Sequence, residues 1–461
     1  MKLASSNTTR SFSQSTISYL PGFTGPLPFH LETGYIGVDE TEDVQLFYYF
    51  VRSERNAKED PLLLWLTGGP GCSAFSGLVF EIGPLKFEVV EYNGSLPTLV
   101  PNPHSWTKAA SIIFLDQPVG TGFSYSKSSE GWMTGDLKST EQVYQFLRKW
   151  LINHPELLRN PVYVGGDSYS GFTVPLVVQD ISDGNEAGNE PFINLKGYLL
   201  GNPVTDPIQE QNSKVPFSHG MGLISDELYE SLKKSCAGEY TNVNPSNTQC
   251  LKDLQAYYKC ILGINTVHIL EPICYFLASP ETETLVPYKR SLRENLKQLD
   301  DPKPPLRDPP APSPECRSYA YLLSAYWIND KNVRKALHVR DGTVQQWQRC
   351  SDRLSYKNEI SSSLRYHLTL SERGYRSLIY SGDHDITVTF IGTQAWIKSL
   401  NYSIIDDWRP WFVDAQIGGY TRTYSNNMTF ATLKGAGHTA PEYNPKEGFE
   451  MFKRWMDNEA L

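Results

Sequence analysis

The sequence predicts an α/β fold, in which a mostly parallel central sheet is flanked by helices. Short apolar runs that end in glycine or in polar loops recur through the first half of the chain, as buried parallel strands do. An amphipathic helix over residues 143–151, with apolar side chains at i, i+3, i+4, i+7 and i+8, lies between two of these runs. Strands that alternate with helices form parallel sheets, because each crossover helix packs on a face of the sheet.

The elements follow in order along the chain. The helix over 143–151 ends at His154-Pro155, because the residue before a proline is disfavoured in helical conformation. A final amphipathic helix is expected near the end of the chain, over residues 445–456. Strands are expected at six apolar runs, which are 62–66, 111–115, 161–164, 198–200, 377–380 and 428–433.

A helical cap is expected to interrupt the sheet domain after Asn202-Pro203, where the pattern becomes helical and polar. Its end is marked by a proline-rich stretch over 297–315, which predicts an extended, solvated linker that proteases can reach. The predicted organisation is a flexible N-terminus over 1–20, a first core part over 21–205, the cap and its linker over 206–316, and a second core part over 317–461.

The overall composition excludes two classes of partner. The chain has 461 residues, 40% of them hydrophobic, and a net charge of −9. No basic stripe is available to neutralise phosphates, so we expect no nucleic-acid partner. No apolar run reaches the roughly 18 residues of a membrane span, so we expect no membrane insertion.

Seven cysteines and four glycosylation sequons favour the oxidising secretory route. Residues 1–14 lack the apolar segment of a secretory signal, so we expect that a signal was removed or replaced. A cytosolic protein with free thiols is the alternative. No Cys-X-X-Cys pair with matching histidines is present, so no zinc site is expected. The sequons are at Asn7, Asn93, Asn401 and Asn427.

Three short segments carry the catalytic chemistry. Gly166-Asp-Ser-Tyr-Ser-Gly171 follows a predicted strand and offers Ser168 as a nucleophile, although Ser170 stands where the common motif has glycine. The second segment, over 382–385, offers two acids, Asp383 and Asp385, and spacing alone does not choose between them. The third segment offers His438. The chain order serine, acid, histidine is that of the α/β-hydrolase fold, and it predicts an acyl-serine intermediate.

A glycine turn after the strand at 62–66 can supply the oxyanion hole. Glycines allow backbone N–H groups to approach the oxygen that becomes negative during acyl transfer. The expected donors are the N–H of Gly69 and the N–H of Tyr169, the residue after the nucleophile. No Gly-Lys-Ser/Thr follows this turn, so a phosphate-binding loop is a poor alternative.

Four motifs together resemble the serine carboxypeptidase family, and the resemblance runs from about Gly34 to the last helix. They are Thr67-Gly-Gly-Pro-Gly-Cys-Ser73, Asp116-Gln-Pro-Val-Gly-Thr-Gly-Phe-Ser-Tyr125, Gly166-Asp-Ser-Tyr-Ser-Gly171 and Gly437-His-Thr-Ala-Pro441. The resemblance implies that Ser168, Asp385 and His438 form the triad and that no cofactor or metal is needed. It further implies the disulfides Cys72–Cys350, Cys236–Cys250 and Cys274–Cys316, with Cys260 left over.

Two positions depart from the peptidases of this family. The peptidases have asparagine where this chain has Thr67 and glutamate where it has Asp167, and those groups hold the free carboxylate of a peptide. A threonine hydroxyl donates one hydrogen bond where an asparagine amide donates two. The expected substrate-binding residues are Thr67, Gly68, Asp167 and Glu81. We expect Asp167 and Glu81 to form a carboxyl pair with one raised pKa, the alternative being that Glu81 is a solvated loop residue.

With these two changes the chain resembles the plant serine carboxypeptidase-like acyltransferases of secondary metabolism. That resemblance implies transfer of an acyl group from a 1-O-β-glucose ester to a small alcohol or amine, in a glycosylated vacuolar protein. It also implies a monomer, or a heterodimer of two fragments if the linker is cut. The alternatives are a carboxypeptidase or esterase, and a catalytically silent protein that binds a partner. The intact candidate triad disfavours the silent protein.

Overall fold

The computed structural model describes residues 12–39, 43–274, 313–351 and 353–461. Within them, twelve strands form one sheet and two pairs of short strands form small ribbons. The strands are β1 Phe12–Ile17, β2 Leu31–Asp39, β3 Val44–Val51, β4 Leu62–Leu66, β5 Leu85–Phe87, β6 Leu99–Pro101, β7 Ser111–Leu115, β8 Tyr125–Ser126, β9 Met133–Gly135, β10 Val162–Asp167, β11 Leu195–Gly201, β12 Ser355–Lys357, β13 Arg376–Gly382, β14 Ile404–Val413, β15 Gln416–Tyr424 and β16 Met428–Leu433.

The sheet has a parallel centre and antiparallel edges. Its order is β1-β2-β3-β7-β4-β10-β11-β13-β16-β15-β14, with β8 paired to β3. The five pairings from β7 to β16 are parallel. The pairings outside them are antiparallel. The predicted α/β class is therefore confirmed, and the expected parallel sheet is the central part of a mixed one.

Helices cover both faces of this sheet and also build the cap. Among the described residues, no helix is both long and apolar enough to cross a membrane. The helices are α1 Asp136–Asn153, α2 Ser170–Glu186, α3 Pro207–Gly220, α4 Asp226–Cys236, α5 Thr248–Ile261, α6 Tyr319–Ile328, α7 Lys331–Ala336, α8 Leu364–Glu372, α9 Phe390–Ser399, α10 Ala440–Tyr443 and α11 Pro445–Met456.

The hydrophobic core lies in two layers, one on each face of the sheet. In β4 every side chain is buried, and alternate residues enter opposite layers because strand side chains alternate. Leu62, Leu64 and Leu66 pack in the layer that contains the buried face of α1. Leu63 and Trp65 pack in the other layer, against α11 and α6. This double burial explains why the central strands are continuous apolar runs in the sequence.

Helices α3 to α5 form a cap with a small core of its own. Val215, Leu232, Leu254 and Tyr257 are buried together there. The disulfide Cys236–Cys250 joins α4 to α5 beside this core. Residues 297–312 of the predicted proline-rich linker lie outside the described residues.

The expectation of a flexible N-terminus over 1–20 is wrong from residue 12 onward. Strand β1 pairs antiparallel with β2, with Phe12 opposite Ile36 and Ile17 opposite Leu31. The Ile17 and Leu20 side chains are buried in the core. Strand β1 lies at the edge of the sheet, where one face of a strand is solvated. Its serines and threonines therefore do not form the apolar run by which the other strands were predicted. Residues 1–11, including the sequon at Asn7, lie outside the described residues.

Three disulfides are present, and they are the three pairs that the resemblance implies. They are Cys72–Cys350, Cys236–Cys250 and Cys274–Cys316. Cys260 is the free thiol, and it is exposed on α5. The first disulfide joins the glycine turn after β4 to the segment before β12. The three cross-links are consistent with the oxidising secretory route.

Candidate active site

Ser168 lies in a tight turn between β10 and α2. Its φ angle is 56°, a left-handed conformation that residues with side chains rarely adopt. A Cβ atom on Gly166 would lie 2.3 Å from the Leu66 carbonyl oxygen, so glycine is needed two residues before the serine. Ser170 is tolerated because its hydroxyl donates to that same oxygen at 2.7 Å. The local sequence therefore presents the Ser168 hydroxyl at the carboxyl edge of the sheet.

The side chains of Ser168, His438 and Asp385 form one hydrogen-bonded chain. His438 Nε2 lies 2.8 Å from Ser168 Oγ, and His438 Nδ1 lies 2.7 Å from Asp385 Oδ2. The three residues follow β10, β16 and β13, whose carboxyl ends meet at one edge of the sheet. In this geometry the imidazole can take the serine proton while the carboxylate holds the imidazole in the required tautomer.

Asp385 is completely buried, and four donors hold its carboxylate. Besides His438, they are the N–H of Thr387 at 2.7 Å, the N–H of Val388 at 3.2 Å and the Asn202 amide at 2.9 Å. Sequence analysis did not single out Asn202. The available signal was its place directly after β11, at the edge of the sheet where the other site residues lie.

The other acid of this loop, Asp383, has a different partner. Asp383 Oδ1 lies 2.6 Å from His384 Nδ1 and accepts the Gly435 N–H at 2.7 Å. Spacing in the sequence could not choose between the two acids. In the structure, Asp385 is the acid that contacts His438.

The acid partner also makes His438 a stronger base. Burial alone would lower the pKa of His438, but the charge and hydrogen bond of Asp385 outweigh burial and raise it above its usual value. The negative charge of Asp167 acts in the same direction. The imidazolium that forms when Ser168 loses its proton is therefore stabilised.

The glycine turn after β4 brings backbone N–H groups to the serine. A Cβ atom on Gly68 would lie 2.7 Å from Ser168 Cβ and 2.9 Å from Tyr169 N, so only glycine allows this approach. Gly69 follows with a φ angle of 124°. In the described part of the chain, the N–H groups of Gly69 and Tyr169 donate to no protein acceptor. These two donors are free to bind a substrate oxygen.

Asp167 and Glu81 form a buried carboxyl pair beside the serine. Both side chains are 5% exposed, so the alternative of a solvated Glu81 is wrong. Burial, Asp167 and then Glu442 raise the pKa of Glu81 well above its usual value. Burial likewise raises the pKa of Asp167, although the His438 charge and the Gly68 N–H oppose that shift. Because both carboxyls are buried and the charge of Asp167 acts on Glu81, ionising both at once is disfavoured.

Sequence analysis missed a third buried carboxyl and a neighbouring cation. Glu442 accepts the Tyr321 hydroxyl at 2.8 Å and the Thr439 hydroxyl at 2.7 Å. The Arg349 guanidinium lies over the Tyr321 ring, 4.2 Å from its centroid. The Arg349 charge acts to lower the pKa of Glu81, Asp167 and Glu442. Arg349 belongs to no motif, whereas Glu442 belongs to His438-Thr-Ala-Pro-Glu-Tyr443, which is part of the resemblance to the acyltransferases, but no role was assigned to it.

The Thr67 hydroxyl is an unused polar group at the same place. Thr67 is 5% exposed, and within the described residues its Oγ1 atom has no hydrogen-bond partner. A buried hydroxyl without a partner costs free energy, typically about 1–3 kcal/mol. A ligand that hydrogen-bonds to Thr67 would remove that cost.

The segment after α5 holds the two loops that bear Asp385 and His438, a contact that the sequence did not indicate. The Thr266 carbonyl accepts the N–H groups of Ile386 at 3.1 Å and Thr387 at 3.0 Å. The Val267 carbonyl accepts the His438 N–H at 2.8 Å. Because these contacts use backbone atoms, side-chain patterns carry no signal of them. The loops that bear Asp385 and His438 are thus fastened to one segment.

Comparisons with known proteins identify the family and the fold. Residues 21–458 match the model of the serine carboxypeptidase family. The chain is 55% identical to serine carboxypeptidase-like 2 and 56% identical to serine carboxypeptidase-like 1 of Arabidopsis thaliana, across 97% of this chain and 94% of each relative. Among solved structures, it resembles a prohormone-processing carboxypeptidase from Saccharomyces cerevisiae, with a TM-score of 0.73, 21% identity and coverage of 96% of this chain and 95% of that one. The last likeness shows the α/β-hydrolase fold.

Proposed function

The chain belongs to the serine carboxypeptidase family, and from that premise we propose that it is an acyltransferase. It would move an acyl group from a 1-O-β-glucose ester to an alcohol or amine through an acyl-serine intermediate. Ser168, His438 and Asp385 are the proposed triad, and the N–H groups of Gly69 and Tyr169 are the proposed oxyanion hole.

One observation carries the choice of transferase: Thr67 and Asp167 stand beside Ser168, where the peptidases have asparagine and glutamate. The Thr67 hydroxyl is buried and has no hydrogen-bond partner among the described residues, and Asp167 and Glu81 are buried acids with raised pKa values. A sugar hydroxyl both donates and accepts, and so does a carboxyl pair that shares a proton. A peptide carboxylate only accepts and is negative. Thr67 offers it one donor where the asparagine amide of the peptidases offers two, and any negative charge on the acid pair repels it.

The mechanism conserves atoms and protons without a cofactor. His438 takes the Ser168 proton as Oγ attacks the acyl carbonyl, and the two backbone N–H groups stabilise the oxyanion. His438 then gives this proton to the anomeric oxygen of glucose, which leaves. Next it deprotonates the acceptor hydroxyl, which attacks the acyl-enzyme, and it returns that proton to Ser168 Oγ as the new ester leaves. Transfer exceeds hydrolysis where the acceptor is bound and oriented better than water.

The second candidate is a carboxypeptidase or esterase, which uses the same acyl-enzyme and lets water accept the acyl group. The complete triad and the family membership support it equally. The structural relative from Saccharomyces cerevisiae is itself described as a prohormone-processing carboxypeptidase.

The deciding experiment supplies an aromatic 1-O-β-glucose ester with a panel of alcohols and amines. We expect a new ester or amide to form together with free glucose. Free acid as the sole product with every acceptor would contradict the transferase. Release of amino acids from N-blocked dipeptides would support the peptidase instead.

Restoring the peptidase side chains is expected to increase dipeptide cleavage. In the double variant Thr67→Asn/Asp167→Glu, the amide adds a donor and the longer acid reaches further toward a peptide carboxylate. We expect kcat/KM for an N-blocked dipeptide to rise about tenfold, a gain typical of one recovered polar contact. The single variants serve as controls. An unchanged or lower kcat/KM in the double variant would contradict the role given to these two positions.

The pH dependence of KM should depend on the charge of the substrate. Burial raises the pKa of Asp167 and of Glu81, so the pair is neutral at low pH and gains negative charge as pH rises through the raised values. We expect KM for an N-blocked dipeptide to rise as pH increases through these raised values, because its carboxylate is then repelled. KM for the matching dipeptide amide, which has no such charge, should rise less. Parallel pH curves for the two substrates would refute this effect of the carboxyl pair.

The cross-links and the sequons support the proposed assembly and the secretory route. Cys274 and Cys316 flank the proline-rich linker and are disulfide-bonded. Cleavage between them would therefore leave two fragments covalently joined, which is the proposed heterodimer. Asn93, Asn401 and Asn427 are exposed and are the proposed glycosylation sites. We place the protein in the secretory pathway with the vacuole as its destination, and small molecules as both donor and acceptor.

A further inference from the structure

Asp136, the first residue of α1, is a fully buried carboxylate that joins three parts of the chain. Its Oδ1 atom accepts the hydroxyl of Tyr169 at 2.7 Å and the hydroxyl of Tyr356 at 2.8 Å. Its Oδ2 atom accepts the backbone N–H of Glu359 at 2.6 Å and that of Ile360 at 2.9 Å. One side chain thus connects the helix, the serine turn and the segment after Cys350.

The surroundings of Asp136 suit a negative charge. Four donors reach the carboxylate, and the N-terminus of an 18-residue helix adds a favourable dipole. Glu359 forms a bond in the reverse direction: its Oε2 atom accepts the N–H of Leu137, in α1, at 3.0 Å. These reciprocal bonds make the joint between α1 and the segment at 358–360 rigid.

The joint matters for catalysis because Tyr169 contributes the peptide N–H next to the nucleophile. Two backbone bonds hold the other side of this turn: Ser168 N–H donates to the Gly201 carbonyl, and Val204 N–H donates to the Ser168 carbonyl, both at 2.9 Å. The side chain of Tyr169 is fixed at its far end by Asp136. The turn is therefore held at both ends, which sets the direction of the Tyr169 N–H.

We propose that Asp136 is a positioning residue for the reaction, which acts by aiming the Tyr169 N–H at the oxyanion. This inference rests on the acyl-serine mechanism proposed above and applies equally to transfer and hydrolysis. The oxyanion has full charge only in the tetrahedral intermediate and the transition states beside it. Losing the hydrogen bond from Tyr169 to Asp136 should therefore lower kcat and leave KM nearly unchanged.

Two tyrosine variants provide the test, because Tyr169 and Tyr356 donate to the same oxygen of Asp136, at 2.7 and 2.8 Å. The Tyr169 hydroxyl also lies 3.1 Å from Asn358 Oδ1, a contact that Tyr169→Phe removes as well. Tyr169→Phe removes the anchor of the oxyanion donor, whereas Tyr356→Phe removes the same type of bond from a residue beyond the turn. The measurements are kcat and KM for an activated aryl ester and the temperature of thermal unfolding. Asp136→Ala is the third variant, and it loses both bonds together.

We expect Tyr169→Phe to lower kcat about tenfold, less than the roughly hundredfold loss that follows removal of a whole oxyanion donor. Tyr356→Phe should keep kcat within about twofold, with a similar decrease in unfolding temperature. Asp136→Ala, if it folds, should lower kcat at least as far as Tyr169→Phe. Equal losses of kcat in the two tyrosine variants, or no loss in either, would overturn the inference.

The same samples separate this inference from the mechanism on which it rests. A serine-directed organophosphorus reagent should label Ser168 in the wild-type protein. If Ser168 is not labelled, the acyl-serine mechanism itself fails. If it is labelled and the tyrosine variants behave alike, the mechanism stands and Asp136 has only a structural role.

Discussion

Replacing Ser168 by alanine is expected to abolish acyl transfer and hydrolysis together. Both reactions need the same acyl-enzyme, and the bond lost is the one from Ser168 Oγ to His438 Nε2 at 2.8 Å. We expect kcat to decrease by at least about 10⁴-fold, as in other hydrolases that lose their nucleophile. The measurement is product formation from a glucose ester, with and without an acceptor.

Ser170→Ala is the matched control for this variant. Ser170 lies in the same motif, but its hydroxyl donates to the Leu66 carbonyl and does not contact His438. We expect this variant to lose far less activity than Ser168→Ala. Full transferase activity in Ser168→Ala would rule out covalent catalysis at this position.

Asp385→Asn is expected to have the second largest effect, a decrease in kcat of about 10⁴-fold. The carboxylate accepts from His438 Nδ1 at 2.7 Å and holds the tautomer in which Nε2 can take the serine proton. An asparagine amide directed at Nδ1 would favour the other tautomer. The measurement is the steady-state rate with the glucose ester, together with the unfolding temperature as a test of folding.

Asp383→Asn provides the comparison within the same loop. Asp383 contacts His384 and the Gly435 N–H, and its closest partners do not include His438. We expect its loss of kcat to be smaller by at least about a hundredfold, because the tautomer of His438 is untouched. A larger loss in Asp383→Asn than in Asp385→Asn would reverse the assignment of the two acids.

The central strands and the candidate triad could be predicted because their signals are local. A strand buried on both faces is a continuous apolar run, and β4, β7 and β16 have the bounds that such runs predict. Ser168 and His438 could be selected because each follows such a strand within a glycine-rich turn. The carboxyl ends of parallel strands meet at one edge, so residues distant in sequence could be placed together.

The remaining features depend on partners that the sequence does not reveal. Strand β1 is polar and lies at the edge of the sheet, so it lacks the apolar run on which the prediction relied. Arg349 and Glu442 come together only through folding, by way of the Tyr321 side chain. The Thr266 carbonyl binds the loop of Asp385 through backbone hydrogen bonds, which any residue could form.

The most direct test of the central claim is mass spectrometry of the Ser168 peptide after brief exposure to an aromatic 1-O-β-glucose ester without acceptor. The reaction is quenched in acid and the protein is digested. We predict that the peptide gains the mass of the acyl group and that stoichiometric glucose appears at the same time. Glucose release with no modified serine, or modification of another residue, would contradict an acyl-Ser168 intermediate.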